Sequence, residues 1–263
     1  MLPDPELLSV RSPALIAGFL PFARWLSRSY FRLRVEGAEN IASGPALYVC
    51  NHNNGLAGPE ILCTLTTLWE AHGPDAPLYA LAHDFAMRHL RPFGAALGRF
   101  GAIRATQEHG LQALAAGCQL MVYPGGDLEA YRHSRRRDEI VFGPRAGVVR
   151  RAQRAGVPIV PVVAQGAHRS AYVFSEGVGL AKRMGLKRWA RLERFPLALA
   201  LPWGIAAGPW LPWLPLPLPI KLRFLPPVNV DPDEDPAIVR DAVRSSMQSA
   251  LDAMARASRA PQR

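Results

Sequence analysis

From residue 46 onwards, short apolar runs alternate with longer stretches of helical periodicity. Apart from Gln119, the runs 46–50, 119–123 and 157–163 are apolar at successive positions, which is typical of strands buried on both faces of a sheet. Strands that alternate with helices predict an α/β fold, with a mostly parallel central sheet flanked by helices. The remaining predicted elements are short strands at 78–81 and 221–225 and helices at 58–71, 106–117, 145–155 and from Pro236 onwards.

Two stretches depart from this alternation. Residues 7–34 combine a short apolar run with aromatic and arginine side chains, which suits a helix lying in a membrane interface or a helix packed on the protein's own core. Residues 195–220 contain no charged residue but seven prolines, too many for a helix that spans a bilayer. We interpret this second stretch as a segment that enters one leaflet or lines an apolar groove, with an unusual core loop as the alternative.

The composition adds a charge imbalance to this picture. The 263 residues include 31 Lys and Arg against 21 Asp and Glu, a net charge of +10. A protein surface with this charge attracts anionic lipid or nucleic acid. No nucleic-acid-binding signature is present, so we expect the partner to be a membrane surface and not nucleic acid. Cys50, Cys63 and Cys118 have apolar neighbours, which indicates buried free thiols. The histidines lack ligand spacing, so we predict no metal site.

The candidate chemistry lies directly after the strand 46–50. His52 follows that strand, and Glu60 comes eight positions later in the first turn of a helix that Pro59 opens. A loop held between two rigid elements can fix an imidazole against a carboxylate, which is the pairing that makes histidine a general base. The alternative is a polar loop histidine beside an ordinary first-turn acid.

Four blocks in this chain, in order, resemble those of the glycerolipid acyltransferase superfamily, which includes the lysophosphatidic acid acyltransferases. The first is Asn51-His52 with a downstream acid, and the second is Gly101-Ala102-Ile103-Arg104. The third is Val122-Tyr123-Pro124-Gly125-Gly126, and the fourth is Val157-Pro158-Ile159-Val160-Pro161. The resemblance covers about residues 40–230.

The chain departs from the common pattern of this family at three positions. The family's usual aspartate, five residues after the histidine, is Ala57 here, and Glu60 matches a variant subgroup with a longer loop. The family's glutamate and arginine in the third block are Gly125 and Leu128 here, which weakens the case for a phosphate-bearing acceptor. Arg104, Arg132 or the run 135–137 remains as a source of phosphate contacts.

The resemblance implies a membrane-associated O-acyltransferase that moves a fatty acyl group from a thioester donor to a hydroxyl of a glycerolipid or related lipid alcohol. The donor is acyl-CoA or an acyl carrier protein thioester, used as co-substrate, and no cofactor is expected. The alternative is a non-catalytic lipid-binding protein of the same fold. The implied catalytic residues are His52 and Glu60, and the implied substrate-binding residues are Asn51, Gly101, Arg104, Pro124, Gly125, Gly126 and Asp127.

These expectations define the organisation of the chain and its place in the cell. We predict one acyltransferase domain, with a membrane-associating helical segment at 1–40, a catalytic core at 41–230 and a C-terminal helix at 231–263. The protein is expected at the cytoplasmic face of the membrane, peripheral or monotopic. Asp84 and Asp127 are kept as alternative partners for His52.

Overall fold

The computed structural model describes residues 8–53, 55, 58–89, 92–143, 146–209 and 214–259, and for residues 88 and 89 it describes the backbone only. Its strands are β1 (Arg34–Glu36), β2 (Leu47–Cys50), β3 (Leu78–Ala82), β4 (Ala102–Arg104), β5 (Gln119–Val122), β6 (Ile159–Gln165), β7 (Tyr172–Ser175), β8 (Leu197–Ala200), β9 (Gly204–Ala207) and β10 (Lys221–Phe224). Its α-helices are α1 (Pro13–Trp25), α2 (Pro59–His72), α3 (Phe93–Arg99), α4 (Gln107–Ala115), α5 (Gly126–Ala130), α6 (Gly147–Ala155), α7 (Val178–Arg183), α8 (Leu186–Trp189) and α9 (Pro236–Arg259).

The central sheet has the strand order β1-β10-β6-β2-β5-β3-β4. Strands β6, β2, β5, β3 and β4 are mutually parallel, whereas β10 runs antiparallel to β6 and pairs in parallel with β1. The carboxyl ends of the five parallel strands therefore share one edge, where ligands bind in such sheets. The predicted α/β fold with a mostly parallel sheet is confirmed.

Both faces of this sheet are covered, as the apolar runs predicted. Along β2, Leu47 and Val49 face a core built with α4, α6 and α9, while Tyr48 and Cys50 face a second core built with α1 and α2. All four residues of β2 are buried. This double burial explains why the central strands have no alternation of polar and apolar residues.

The N-terminal residues form α1, which continues through a π-helical turn at Leu26–Tyr30. Ser12 caps the helix by accepting a hydrogen bond from the Leu15 N–H, and Pro13 stands at the first helical position. Ile16 and Ala23 are buried against the core, whereas Phe22 and Trp25 are exposed. Among the described residues, no helix has the length and apolar character needed to cross a bilayer.

A second, three-stranded antiparallel sheet, β7-β8-β9, was not predicted. Strands β8 and β9 form a hairpin within the charge-free segment 195–220, of which residues 210–213 lie outside the described part. Side chains alternate in size and exposure along β8: Ala198 and Ala200 are small and buried, whereas Leu199 is large and exposed. Proline is disfavoured within strands, so the prolines of this segment predicted irregular structure in place of β8 and β9.

Candidate active site

His52 and Glu60 form a hydrogen-bonded pair at the carboxyl edge of the sheet. The His52 Nδ1 lies 2.9 Å from Glu60 Oε1, with 15% of the histidine side chain exposed and none of the glutamate side chain. His52 follows β2 directly, and Glu60 lies in the first turn of α2 behind it. A carboxylate on Nδ1 leaves Nε2 as the nitrogen available for proton transfer.

The Glu60 carboxylate is fixed by more than the imidazole. The same oxygen that meets His52 also accepts a hydrogen bond of 2.7 Å from the Asn53 N–H. Glu60 is completely buried at the N-terminus of α2, where the helix dipole favours a negative charge. Ala57, which stands where the family usually has aspartate, lies outside the described residues.

A second carboxylate, Glu129, supports the histidine from the main-chain side. Its Oε2 accepts a hydrogen bond of 2.7 Å from the His52 N–H, and its Oε1 accepts one of 2.9 Å from the Val141 N–H. Burial raises the pKa of Glu129 to about 7, although the nearby Arg132 guanidinium and both N–H donors act in the opposite direction. Glu129 therefore positions the backbone of the histidine loop.

The glycine at position 125 makes room for this glutamate. A Cβ atom on Gly125 would lie 2.7 Å from Glu129 Oε2, closer than any real side chain would tolerate. The resemblance places a glutamate at position 125, whereas in this chain the carboxylate of Glu129 occupies the adjoining space. Sequence reasoning missed Glu129. The available signal was its position four residues after Gly125, one helical turn along α5.

Arg132 is a buried structural residue. Its guanidinium donates hydrogen bonds to the carbonyl of His52 at 2.7 Å and to the side-chain oxygen of Asn53 at 2.8 Å. It also donates to the carbonyls of Glu129, Arg136 and Arg137. With these bonds made and no exposed surface, Arg132 stabilises the histidine loop and does not supply a phosphate contact.

Asn51 likewise belongs to the framework. Its side-chain nitrogen donates to the Ala164 carbonyl at 3.0 Å, and its side-chain oxygen accepts from the Ala164 N–H at 2.7 Å. Both ends of the amide are thus used to join the end of β2 to β6. This clamp holds the residue before His52 in place.

The two carboxylates considered as alternative partners for His52 bind elsewhere. Asp84 accepts hydrogen bonds from Arg104 at 2.9 Å and from Arg191 at 2.6 Å, which outweigh burial and lower its pKa. Asp127 accepts from the main-chain N–H groups of residues 193 and 194 at 2.5 and 3.1 Å. The structure therefore pairs His52 with Glu60, and it places Arg104 in an ion pair beside the site.

The glycines and the proline of the second and third blocks shape the backbone. A Cβ on Gly101 would lie 2.7 Å from the Leu78 carbonyl oxygen, and its φ is +93°, so only glycine fits before β4. The Gly126 N–H donates to the Tyr123 carbonyl at 3.1 Å, which closes a turn. The Pro124 carbonyl accepts from the Gly143 N–H at 3.4 Å.

A cavity of about 460 Å³ extends from His52 between α2 and the sheet. Its wall on α2 is formed by Ile61, Leu62, Leu65 and Trp69, a spacing that places these side chains along one side of the helix. The stretch from Pro59 to Trp69 covers about 15 Å of helix. Phe19, Trp69 and Phe100 pack against one another at the far end, and Gly126, Asp127, Ala130 and Tyr131 line the end near His52.

The walls of this cavity are mainly apolar. Its lining is almost entirely hydrocarbon, and the polar groups among the lining residues include His52, His83 and Asp127. Among the described residues, no group of three or more His, Cys, Asp or Glu side chains is arranged to hold a metal ion. An apolar cavity with a few polar groups is the usual form of a small-molecule binding site.

Fold and site together define an α/β protein in which a histidine oriented by a carboxylate lies at one end of an apolar cavity. The acyltransferase family model matches residues 32–165, about half of the chain, and includes His52, Glu60 and Glu129. This protein belongs to the acyltransferase family.

A solved structure supports the same fold. The 1-acyl-sn-glycerophosphate (LPA) acyltransferase PlsC from Thermotoga maritima is 15% identical, and the match covers 94% of each chain with a TM-score of 0.51. This neighbour confirms the fold that the resemblance implied, and the family model confirms the acyltransferase family.

Curated relatives extend across most of the chain. Uncharacterized proteins of Mycobacterium tuberculosis and Mycobacterium bovis are 28% identical over 241 residues, which cover 88% of this chain. An uncharacterized protein of Mycobacterium leprae has the same identity. The match spans 64% of the first two relatives and 62% of the third, so these proteins are longer than the region they share with this chain.

Proposed function

We propose that this protein transfers a fatty acyl group from a thioester donor to the hydroxyl of a lipid alcohol, with His52 as general base. The observation that carries the proposal is the His52–Glu60 pair at one end of the apolar cavity in a chain of the acyltransferase family. The donor is acyl-CoA or an acyl carrier protein thioester, and the acceptor is a glycerolipid or related lipid alcohol at a membrane surface.

The reaction follows from the placement of these groups. The acyl chain occupies the cavity, with its thioester carbonyl at the His52 end. His52 Nε2 removes the proton from the acceptor hydroxyl as its oxygen attacks the carbonyl carbon. Glu60 holds the tautomer and stabilises the imidazolium. The carbon–sulfur bond then breaks, and the leaving thiolate takes the proton back from His52, so no covalent enzyme intermediate is required.

The catalytic role of the pair is tested by replacing each member. We expect His52→Ala to lower kcat by about 10³-fold or more, because the general base is lost. Glu60→Gln should lower kcat by roughly 10²-fold with a smaller effect on KM, because the amide cannot stabilise the imidazolium. Thiol release from acyl-CoA, in the presence of a lysophospholipid or a long-chain alcohol, measures both, and each acceptor is assayed separately.

The matched control is His109→Ala, which removes a histidine from α4, a helix on the opposite face of the sheet from α2. Its activity should equal that of the wild type. Unchanged turnover in His52→Ala would refute the mechanism. Stoichiometric binding of the acyl donor, with no thiol released by the wild type under any of these conditions, would favour the non-catalytic lipid-binding alternative.

A further inference from the structure

The sheet β7-β8-β9 has its large apolar side chains on the outside. Leu199 is 52% exposed and Ile205 is 67% exposed, and the strand register places Tyr172, Leu199 and Ile205 directly opposite one another in a row. Cross-strand neighbours of this kind form a continuous surface. An antiparallel sheet with one solvated face normally has polar residues on that face, so an apolar outer face is unusual.

Two short helices, α7 and α8, connect β7 to β8, and their buried residues Ala181 and Leu186 share a cluster with Leu197 of β8. Along α7 and α8, exposed apolar side chains alternate with exposed basic ones. The apolar members are Val178, Leu180, Met184 and Trp189, and the basic members are Lys182, Arg183, Lys187 and Arg188. Aliphatic and aromatic groups interleaved with cations are the pattern of segments that lie in a membrane interface.

The inner face of the sheet connects this surface to the candidate active site. Its small residues Ala200 and Ala206 pack against Ala130 and Tyr131, which line the cavity near His52. The Tyr131 hydroxyl also donates a hydrogen bond of 3.0 Å to the Pro209 carbonyl. A single layer of sheet therefore separates the exposed apolar face from the end of the cavity where the chemistry is proposed.

We propose that the outer face of β7-β8-β9, together with α7 and α8, is the surface by which this protein docks on a bilayer rich in anionic lipid. The inference rests on the proposed function for its purpose, since docking there brings a membrane acceptor to the His52 end of the cavity. We call this surface, defined by the exposed residues of 172–205, the docking face.

Charge identifies the occupant as lipid. Residues 172–205 contain six Lys and Arg but only two acidic residues, Glu176 and Glu193. Both acids form ion pairs with neighbouring basic side chains, Glu176 with Arg194 and Glu193 with Lys187. A second copy of the chain would place one positive surface against another, whereas anionic headgroups complement it and accept the apolar side chains below them.

Vesicle co-sedimentation of the full-length protein tests the apolar part of the docking face. We expect binding to vesicles that contain phosphatidylglycerol, and a roughly tenfold lower partition coefficient for each of Leu199→Thr and Ile205→Thr. Threonine retains strand propensity, so the sheet is kept. Ile238→Thr is the matched control, because Ile238 is 62% exposed on α9, and it should bind as the wild type does.

A charge series tests the electrostatic part. The double variant Lys182→Gln, Arg183→Gln should bind phosphatidylglycerol vesicles several-fold more weakly, whereas Arg150→Gln, Arg154→Gln on α6 should change binding less. Binding of the Thr variants equal to that of the wild type would overturn the proposal. A wild-type dimer in detergent-free solution that the Thr variants dissociate would also overturn it, in favour of a second copy.

Thiol release with a detergent-dispersed acceptor separates this inference from the proposed function. The Thr variants should retain wild-type turnover in that assay, because they leave His52, Glu60 and the cavity unchanged. Loss of vesicle binding with turnover kept supports the docking face. A wild type that binds vesicles but never releases thiol refutes the catalytic proposal and leaves the docking face standing.

Discussion

At the scale of single residues, one histidine is held from three directions. Glu60 meets its imidazole, Glu129 accepts from its main-chain N–H, and Arg132 donates to its carbonyl. Glu129 and Arg132 are both fully buried, and the carboxyl group of one interacts electrostatically with the guanidinium of the other. A general base needs a fixed orientation, and this cluster fixes the backbone as well as the ring.

Glu129 is expected to make stability depend on pH in a specific direction. Its pKa is raised in the folded protein from 4.5 to about 7, so the folded state binds more protons than the unfolded state within that interval. The free energy of unfolding should therefore fall as pH rises from about 4.5 to about 7, by on the order of 3 kcal/mol from this group. Urea unfolding at several pH values measures the trend.

The matched variant for this prediction is Glu129→Gln, which has no titrating group at that position. Its free energy of unfolding should lack the decrease that Glu129 causes as pH rises towards 7. The difference in free energy of unfolding between wild type and variant should therefore narrow or reverse as pH rises. Parallel curves for the two proteins would contradict the raised pKa.

The sequence predicted the histidine but only part of its surroundings. His52 and Glu60 lie close in the chain, on either side of one loop, so their pairing followed from local structure. Glu129 and Arg132 contact the same loop although they are 77 and 80 positions from His52 in the sequence. Such contacts depend on β2 and β5 being neighbours in the sheet, and one sequence without an alignment does not specify strand order. Without the strand order, the sequence left Arg132 as a candidate for phosphate contacts.

At the scale of elements, α2 and the sheet form the walls of the cavity in which we propose that the acyl chain lies. Ala80 on β3 lines the cavity, where its small side chain leaves space. We expect Ala80→Leu to lower kcat/KM for long-chain donors by roughly tenfold relative to short-chain donors, because the added carbons occupy that space. Competition between acyl-CoAs of different length measures the ratio.

The control for this change is Ala115→Leu, which adds the same atoms at an exposed position on α4. It should leave the chain-length preference unaltered. A uniform loss of activity for all donors in Ala80→Leu, accompanied by a lower melting temperature, would indicate a packing defect and contradict the assignment of the cavity to the acyl chain.

The elements that the sequence failed to predict are the strands of the second sheet. Runs such as 46–50 are apolar at every position because both faces are buried, and this pattern predicts a central strand. Strands β8 and β9 are also apolar throughout, but for a different reason, since one face packs on the protein and the other is exposed. Apolar composition alone does not distinguish an exposed apolar face from a buried one, and the prolines suggested irregular structure.

At the scale of the whole molecule, the net charge of +10 should govern how the protein meets a membrane. Raising the ionic strength from about 0.1 M to about 1 M shortens the screening length from roughly 10 Å to roughly 3 Å. We expect sodium chloride over this range to weaken binding to phosphatidylglycerol vesicles at least tenfold, because attraction to the headgroups is screened. Co-sedimentation at increasing salt measures the effect.

The residual binding at high salt is the informative quantity. Apolar side chains such as Leu199 and Ile205 are not screened, so binding should level off at the value seen with neutral phosphatidylcholine vesicles, which should itself change little with salt. Salt that releases the protein completely would mean that charge alone holds it to the surface. In that case the apolar face would not enter the bilayer, and the acyl acceptor would have to leave the membrane to reach His52.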